Sequence, residues 1–164
     1  MGHKLFKSTP ESFPVPFIQA DVFALPALPL PAAPPPDPLP APPTSLAPLA
    51  GRLSAIHMSY FFHLFAEERQ AEIARRVAPL LARRAGAMVF GAHVGRHEKG
   101  FSGEQNTHGI PMFCHSPESW RELWEGVFPA GCVRVDAHLE KFSTADHPEG
   151  KHEGYMLVWC VTRV

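Results

Sequence analysis

The chain has 164 residues, 45% of them apolar, and a formal net charge of −1, which together describe one globular domain with a sizeable core. Its basic residues are scattered, so no electrostatic footprint for nucleic acid or an anionic membrane surface is present, and the expected partner is a small molecule or a protein. Cys114, Cys132 and Cys160 form no CxxC pair and are odd in number, which argues against a disulfide framework and against structural zinc. The start, Met1 to Lys7, lacks the apolar stretch of a signal peptide, and no apolar run reaches membrane-spanning length, so the expected location is cytoplasmic.

In chain order, Phe13 to Asp21 carries Val15, Phe17 and Ile18 and predicts a short strand ending at an acidic turn residue. Leu25 to Pro48 then holds eleven of the 19 prolines. Proline removes backbone donors and restrains its predecessor, so this stretch is expected to be extended, polyproline-like and exposed. Pro31 to Pro34 and Pro35 to Pro38 both read PxxP, the pattern of a ligand for a proline-recognising domain; a surface insertion is the plainer reading, since no flanking basic residue would orient such a ligand.

Ser54 to Ser59 predicts a second strand running into the aromatic cluster Tyr60 to Phe65. Ala66 to Arg84 changes to helical period through Ile73, Val77, Leu80 and Leu81, with Pro79 expected to kink or shorten its end and Gly86 to stop it. Ala87 to Ala92 is short and apolar, a buried strand, and a glycine- and histidine-rich loop is expected after it. Ser116 as N-cap and Pro117 at the first helical position open a second helix, with Trp120, Leu123, Trp124 and Val127 on one face. Cys132 to Leu139 alternates as a half-exposed strand, and Tyr155 to Val164 is a nearly continuous apolar run expected to pair antiparallel with it. The order is α/β with a terminal hairpin.

Six stretches carry a more specific likeness: GHKLFKS, FIQADVFA, LAGRLSAIHMSYFFHLF, GAMVFGAHVG, MFCHSPESWRELWEGVF and YMLVWCVTRV. Together they resemble the class I S-adenosylmethionine-dependent methyltransferases of fungal secondary-metabolite clusters, especially the meroterpenoid carboxyl O-methyltransferases. The resemblance implies a Rossmann-like sheet of strand order 3-2-1-4-5-7-6 ending in a reversed strand, of which this chain would carry the C-terminal portion. Residues 1–24 would hold the third strand, 25–48 a proline-rich insertion and 49–164 the C-terminal half. The first two strands and the glycine-rich turn are not found; Gly2, Gly51 and Gly86 are isolated, and no GxGxG follows a strand. The chain is therefore expected to be truncated and inactive alone, with the strand at Ser54 to Ser59 left unpaired on one side and prone to self-association. A non-catalytic binding module, joining a partner through that edge or through the proline-rich loop, is the alternative.

By the same resemblance Asp21 accepts from the adenine amino group of S-adenosylmethionine while the Val22 amide meets a ring nitrogen, and Ser59 borders the cofactor; Asp21 also suits an ordinary turn. Tyr60, Phe61 and Phe62, with Cys114 and His115, would line the pocket of a small natural-product carboxylate or hydroxyl. A carboxylate needs no base, whereas a hydroxyl does, a role open to His63, which is equally suited to be a core histidine among aromatics. His93, His97, His108 and His115 with Cys114 are zinc-ligand types, but their irregular spacing favours a loop capping the substrate pocket. Trp120 and Trp124 are read as core.

Overall fold

The computed structural model describes residues 2–9, 11–13, 15–35, 39, 43–105, 109–144 and 152–164. After a one-turn helix, α1 (Gly2–Leu5), come strand β1 (Ala55–His57), helix α2 (Glu67–Val77), strands β2 (Met88–Gly95), β3 (Gly100–Gln105) and β4 (Pro111–Cys114), helix α3 (Pro117–Glu125), and strands β5 (Val133–Thr144) and β6 (His152–Arg163).

Four strands form the main sheet in the order β1-β2-β6-β5. β1 runs parallel to β2, and β6 runs antiparallel to both β2 and β5. The last strand in sequence is thus inserted between two earlier ones and reversed, the arrangement that the likeness to class I methyltransferases implies. The long β5–β6 pairing, from Val133 opposite Arg163 to Thr144 opposite His152, agrees with the expected terminal hairpin. The stretch linking them, residues 145–151, lies outside the described residues.

Period-two burial explains the core. Val89, Gly91 and His93 of β2 and Leu157, Trp159 and Val161 of β6 are all buried. Val89, Leu157, Trp159 and Val161 form one cluster with Ile73, Ala74 and Val77 of α2 and Trp120 and Trp124 of α3. The intervening residues Met88, Phe90, Ala92, Val158 and Cys160 line an open groove of about 440 Å³. Both helices therefore serve one face of the sheet. Gly91 is required where β1 leaves the sheet, because a Cβ there would sit 2.0 Å from the Met58 carbonyl oxygen.

Local signals held at the start of both helices and failed at the end of the first. α3 begins with a capping box in which Ser119 N donates to Ser116 Oγ (3.2 Å) and Ser116 N donates to Ser119 Oγ (3.0 Å), with Pro117 at the first helical position. α2 carries Glu67 and Glu68 in its first turn and Arg75 and Arg76 in its last, matching the dipole. It stops well before Arg84, because Pro79 has no amide to continue the ladder, and a 3-10 turn, Ala78–Leu80, closes it. Gly86, at φ +82°, turns the chain into β2 instead of capping the helix.

Three expectations are corrected. Phe13 to Asp21 is not a strand: its described residues belong to neither sheet, and a 3-10 turn, Val22–Ala24, follows. Strand propensity is realised only against a neighbouring strand, so sequence pattern alone does not produce one. The proline-rich stretch is not uniformly exposed: Leu25 is buried, Leu30 packs on the core, and the guanidinium groups of Arg76 and Arg83 donate to the carbonyls of Leu25 and Ala32. Of the two PxxP cores, Pro36 to Pro38 lies outside the described residues. The segment after β2 is not a plain loop, because β3 and β4 pair as an antiparallel hairpin, Gly100 opposite Cys114 and Phe101 opposite Phe113.

Candidate functional site

The turn after β1 is held by a network at the carboxyl end of the strand. Met58 N donates to Phe90 O (2.9 Å) and Tyr60 N to Ala92 O (2.8 Å), prolonging the β1–β2 ladder. Ala92 N donates to Ser59 Oγ (3.1 Å), and the same hydroxyl is hydrogen-bonded to His57 Nε2 at 2.8 Å. Ser59 is thereby tied to β2. Tyr60 follows with φ +52°, a left-handed conformation that costs a non-glycine residue about 1–2 kcal/mol. Its exposed ring meets His63 edge-on, with centroids 6.4 Å apart.

Asp21 and Val22 sit across from this turn. An apolar cavity of about 490 Å³ is bounded by Asp21, Val22 and Phe23 on one side and by Ile56, Met58, Phe61 and Phe65 on the other. Asp21 uses Oδ1 to accept from Phe23 N at 2.8 Å, the geometry of a capping turn. Its other carboxylate oxygen and the Val22 amide have no partner among the described residues. Asp21, Val22 and Phe61, drawn from two distant stretches of sequence, are therefore brought together. Ser59, expected to border the cofactor, instead lines the groove on the other face of the sheet with His57, Phe90 and Ala92, and Tyr60 lines neither space.

On the helix side, Phe62, His63, Cys114 and His115 are buried. Phe62 is wholly enclosed, its ring edge-on to Trp120 (4.8 Å between centroids) and Trp159 (5.8 Å), so it belongs to the core that backs the site. His63 stacks against His93 at 6.2 Å with 13° between planes. His93 in turn lies 4.7 Å from Trp120, and His115 lies 5.3 Å from the same indole. Gln70 braces this region by donating to Phe65 O (2.9 Å) and Phe113 O (2.8 Å), joining the β1 turn to β4.

The electrostatics of the three imidazoles follow from burial. Loss of hydration drives His93 down to about 3, with help from the neighbouring His63 and His115, and drives His115 down to about 4, partly offset by Glu67. Burial also lowers His63. All three are neutral near pH 7. The Trp159 indole N–H donates to His93 Nδ1 (3.0 Å), and an indole can only donate, so the ring proton of neutral His93 is on Nε2. His115 Nδ1 is 2.9 Å from Ser119 Oγ.

The cluster was only partly legible. His63 and His115 are candidates from the sequence, whereas His93 enters there only as a metal-ligand type and Trp120 only as core. Alternation along β2 places His93 on the same side as Val89, the one signal that could have marked it as inward-facing. His97 is drawn away to pack edge-on against Tyr155 at 4.5 Å, and His108 lies outside the described residues. No group of three potential metal ligands is assembled among the described residues.

An α/β sheet whose last strand is reversed between two earlier ones, with polar and aromatic residues gathered past the carboxyl end of a parallel strand, has the form of an open α/β domain. Sequence comparison places it more narrowly. The chain is 34% identical over 79 residues to the methyltransferase adrK of Penicillium roqueforti, a match covering 48% of this chain and 28% of adrK. It is 30% identical over 121 residues to the Asnovolin E/Chermesin D methyltransferase nvfJ of Aspergillus novofumigatus, covering 70% of this chain and 41% of nvfJ. The methyltransferase ausD of Penicillium brasilianum is 30% identical over 105 residues, covering 63% of this chain and 36% of ausD. The chain is thus a relative of fungal secondary-metabolite methyltransferases over the matched residues, which amount to less than half of each of these relatives. No protein-family model matches it. Among solved structures, the DhpI–SAH complex is 16% identical with a TM-score of 0.39, covering 65% of this chain and 46% of that one.

Proposed function

We propose that these residues form the substrate-side portion of an S-adenosylmethionine-dependent methyltransferase acting on a small natural-product carboxylate or hydroxyl. The observation that carries the reading is the placement of Asp21 and Val22 across an apolar cavity from the carboxyl end of β1. An adenine ring needs an apolar slot, an acceptor for its amino group and a donor for a ring nitrogen; the cavity, the second Asp21 oxygen and the unpartnered Val22 amide fit that end of the cofactor. For its carboxylate end, the sequence contains no glycine-rich turn after a strand, so we propose that this chain alone is not an active enzyme.

When bound, the cofactor supplies an electrophilic methyl group. The chain's own residues would hold the acceptor in line and exclude water, with Tyr60 and Phe61 at the turn and the buried Cys114 and His115 behind it. A carboxylate acceptor keeps its lone pair without help. A hydroxyl acceptor would pass its proton to His63, whose burial lowers its affinity for that proton and so makes it a weak base.

Titration of isotope-labelled chain with S-adenosylhomocysteine tests this. The expected result is millimolar binding, about −4 kcal/mol, that moves the amide signals of Val22, Met58 and Phe61 and is abolished by Asp21→Ala. Signals that stay in place at saturating ligand would refute the adenine assignment, and micromolar affinity would refute the proposed inactivity of the chain alone. A second reading, a non-catalytic module that associates through its sheet, rests on β1, which pairs only with β2 among the described residues.

A further inference from the structure

β5 closes one end of the sheet order β1-β2-β6-β5, so β6 occupies one of its sides and no strand among the described residues occupies the other. That free side is long, because β5 runs for 12 residues. The Cys132 carbonyl accepts from Val164 N at 3.2 Å, and Cys132 falls opposite Val164 when the β5–β6 register is carried on by one residue. Even-numbered residues of β5 therefore bond to β6, and odd-numbered ones turn their amides and carbonyls outward. The Ala137 carbonyl agrees with that parity, since it accepts from Arg121 Nη2 at 2.7 Å. The outward backbone groups of Val133, Val135 and Leu139 have no partner among the described residues. Such an edge is a template for another strand.

The side chains define which strand fits. Arg134, Asp136, His138 and Glu140 project from one face of β5, all exposed, and pair along the strand: Arg134 with Asp136 at 2.9 Å and His138 with Glu140 at 3.1 Å. Reversed about Ala137, this row is its own complement. A second β5 laid antiparallel, with the two Ala137 residues opposite each other, puts Arg134 across from Glu140 and Asp136 across from His138, and symmetry makes each contact twice. These even positions would form non-hydrogen-bonded pairs, whose Cα atoms lie only about 4.5 Å apart and whose side chains meet most closely. The other two-fold centres are worse. Centring on Asp136 sets that carboxylate against its own copy, and centring on His138 sets Asp136 against Glu140; centring on Val135 or Leu139 leaves two of the four residues facing uncharged neighbours. Arg121 has an alternative partner in Glu118, 3.7 Å away, when an amide of the second copy takes the Ala137 carbonyl.

We propose that two copies of this chain associate edge to edge through β5, antiparallel and centred on Ala137, closing a two-fold dimer whose sheet runs through both copies. A strand of unrelated sequence has no reason to match a row that complements its own reverse, whereas a second copy matches it by symmetry. This edge lies at the opposite end of the sheet from β1, and the inference stands whether or not the methyltransferase reading does.

Sedimentation velocity of the full chain between about 1 and 100 μM is expected to show dimer formation with a dissociation constant on the order of 10 μM, weakened several-fold by about 0.5 M salt. Glu140→Arg sets Arg134 against an arginine at two symmetry-related places and should weaken the dimer about tenfold, as should Arg134→Glu. Combining the two restores opposite charges, so the double variant should return to within about threefold of the unaltered chain. Hydrogen exchange should show the amides of Val133, Val135, Ala137 and Leu139 gaining protection as concentration rises. A monomer throughout the range, charge reversals without effect, or a double variant as weak as the single ones would overturn the proposal. So would association that protects Ala55 and His57 of β1 and leaves the β5 amides unchanged. Both altered side chains are exposed, and hydrogen exchange on the unaltered chain decides the question even if a variant fails to fold.

Discussion

Acidification between pH 7 and pH 5 should destabilise the fold, through two histidines. His93 and His115 are nearly inaccessible to water, and their burial drives them down to about 3 and about 4. In the unfolded chain each returns to an ordinary value near 6.5. The folded form therefore binds fewer protons than the unfolded form in this window, so stability is complete above about pH 6.5 and falls as pH drops toward the folded values. Near pH 5 each unfolded histidine is almost fully protonated while its folded counterpart is almost neutral. The loss relative to pH 7 is about 2 kcal/mol for each, or about 4 kcal/mol together. That is a large share of the stability of a domain this size. The carboxylates whose values are displaced, Glu11, Glu72 and Glu118, are lowered by the Thr9 hydroxyl, by Arg76 and by the helix start, and so contribute below this window. Urea denaturation followed by tryptophan fluorescence at pH 7, 6 and 5 would measure the loss, and His93→Gln should remove about half of the pH dependence. A midpoint constant from pH 7 to pH 5 would refute the reasoning, since it would mean that the rings are hydrated or already paired with a negative charge.

Two further outcomes follow from the sheet. Gly91→Ala places a Cβ against the Met58 carbonyl, so β1 must separate from β2; the variant is expected to lose about 3 kcal/mol and to melt on the order of 10 °C lower, and scanning calorimetry within 2 °C or so of the unaltered chain would contradict the close approach. The outer side of β1, unpaired among the described residues, and the groove over Phe90 and Val158 are expected to drive concentration-dependent self-association, seen by light scattering after size exclusion; a monomer across a hundredfold range, roughly the span that would populate a weak dimer, would show the edge is protected.

Much of the fold was determined by local sequence. Ser116 and Pro117 specify the start of α3 because their preferences are satisfied within a few residues, and Pro79 ends α2 because a missing amide acts locally. Alternation from Cys132 onward and the apolar run from Tyr155 specify two strands, and the short stretch of sequence between them makes antiparallel pairing the natural outcome. Tertiary structure decided the rest. Phe13 to Asp21 has strand residues and no strand, whereas β3 and β4, in a stretch of glycine and histidine without clear alternation, become strands because they found each other. The site belongs to the same category. His63 and His115 could be suspected singly, but neutrality and the tautomer of His93 come from enclosure and from Trp159, 66 residues away along the chain. A side chain's chemistry is written in its residue type; its protonation and its partners are set by what the fold places around it.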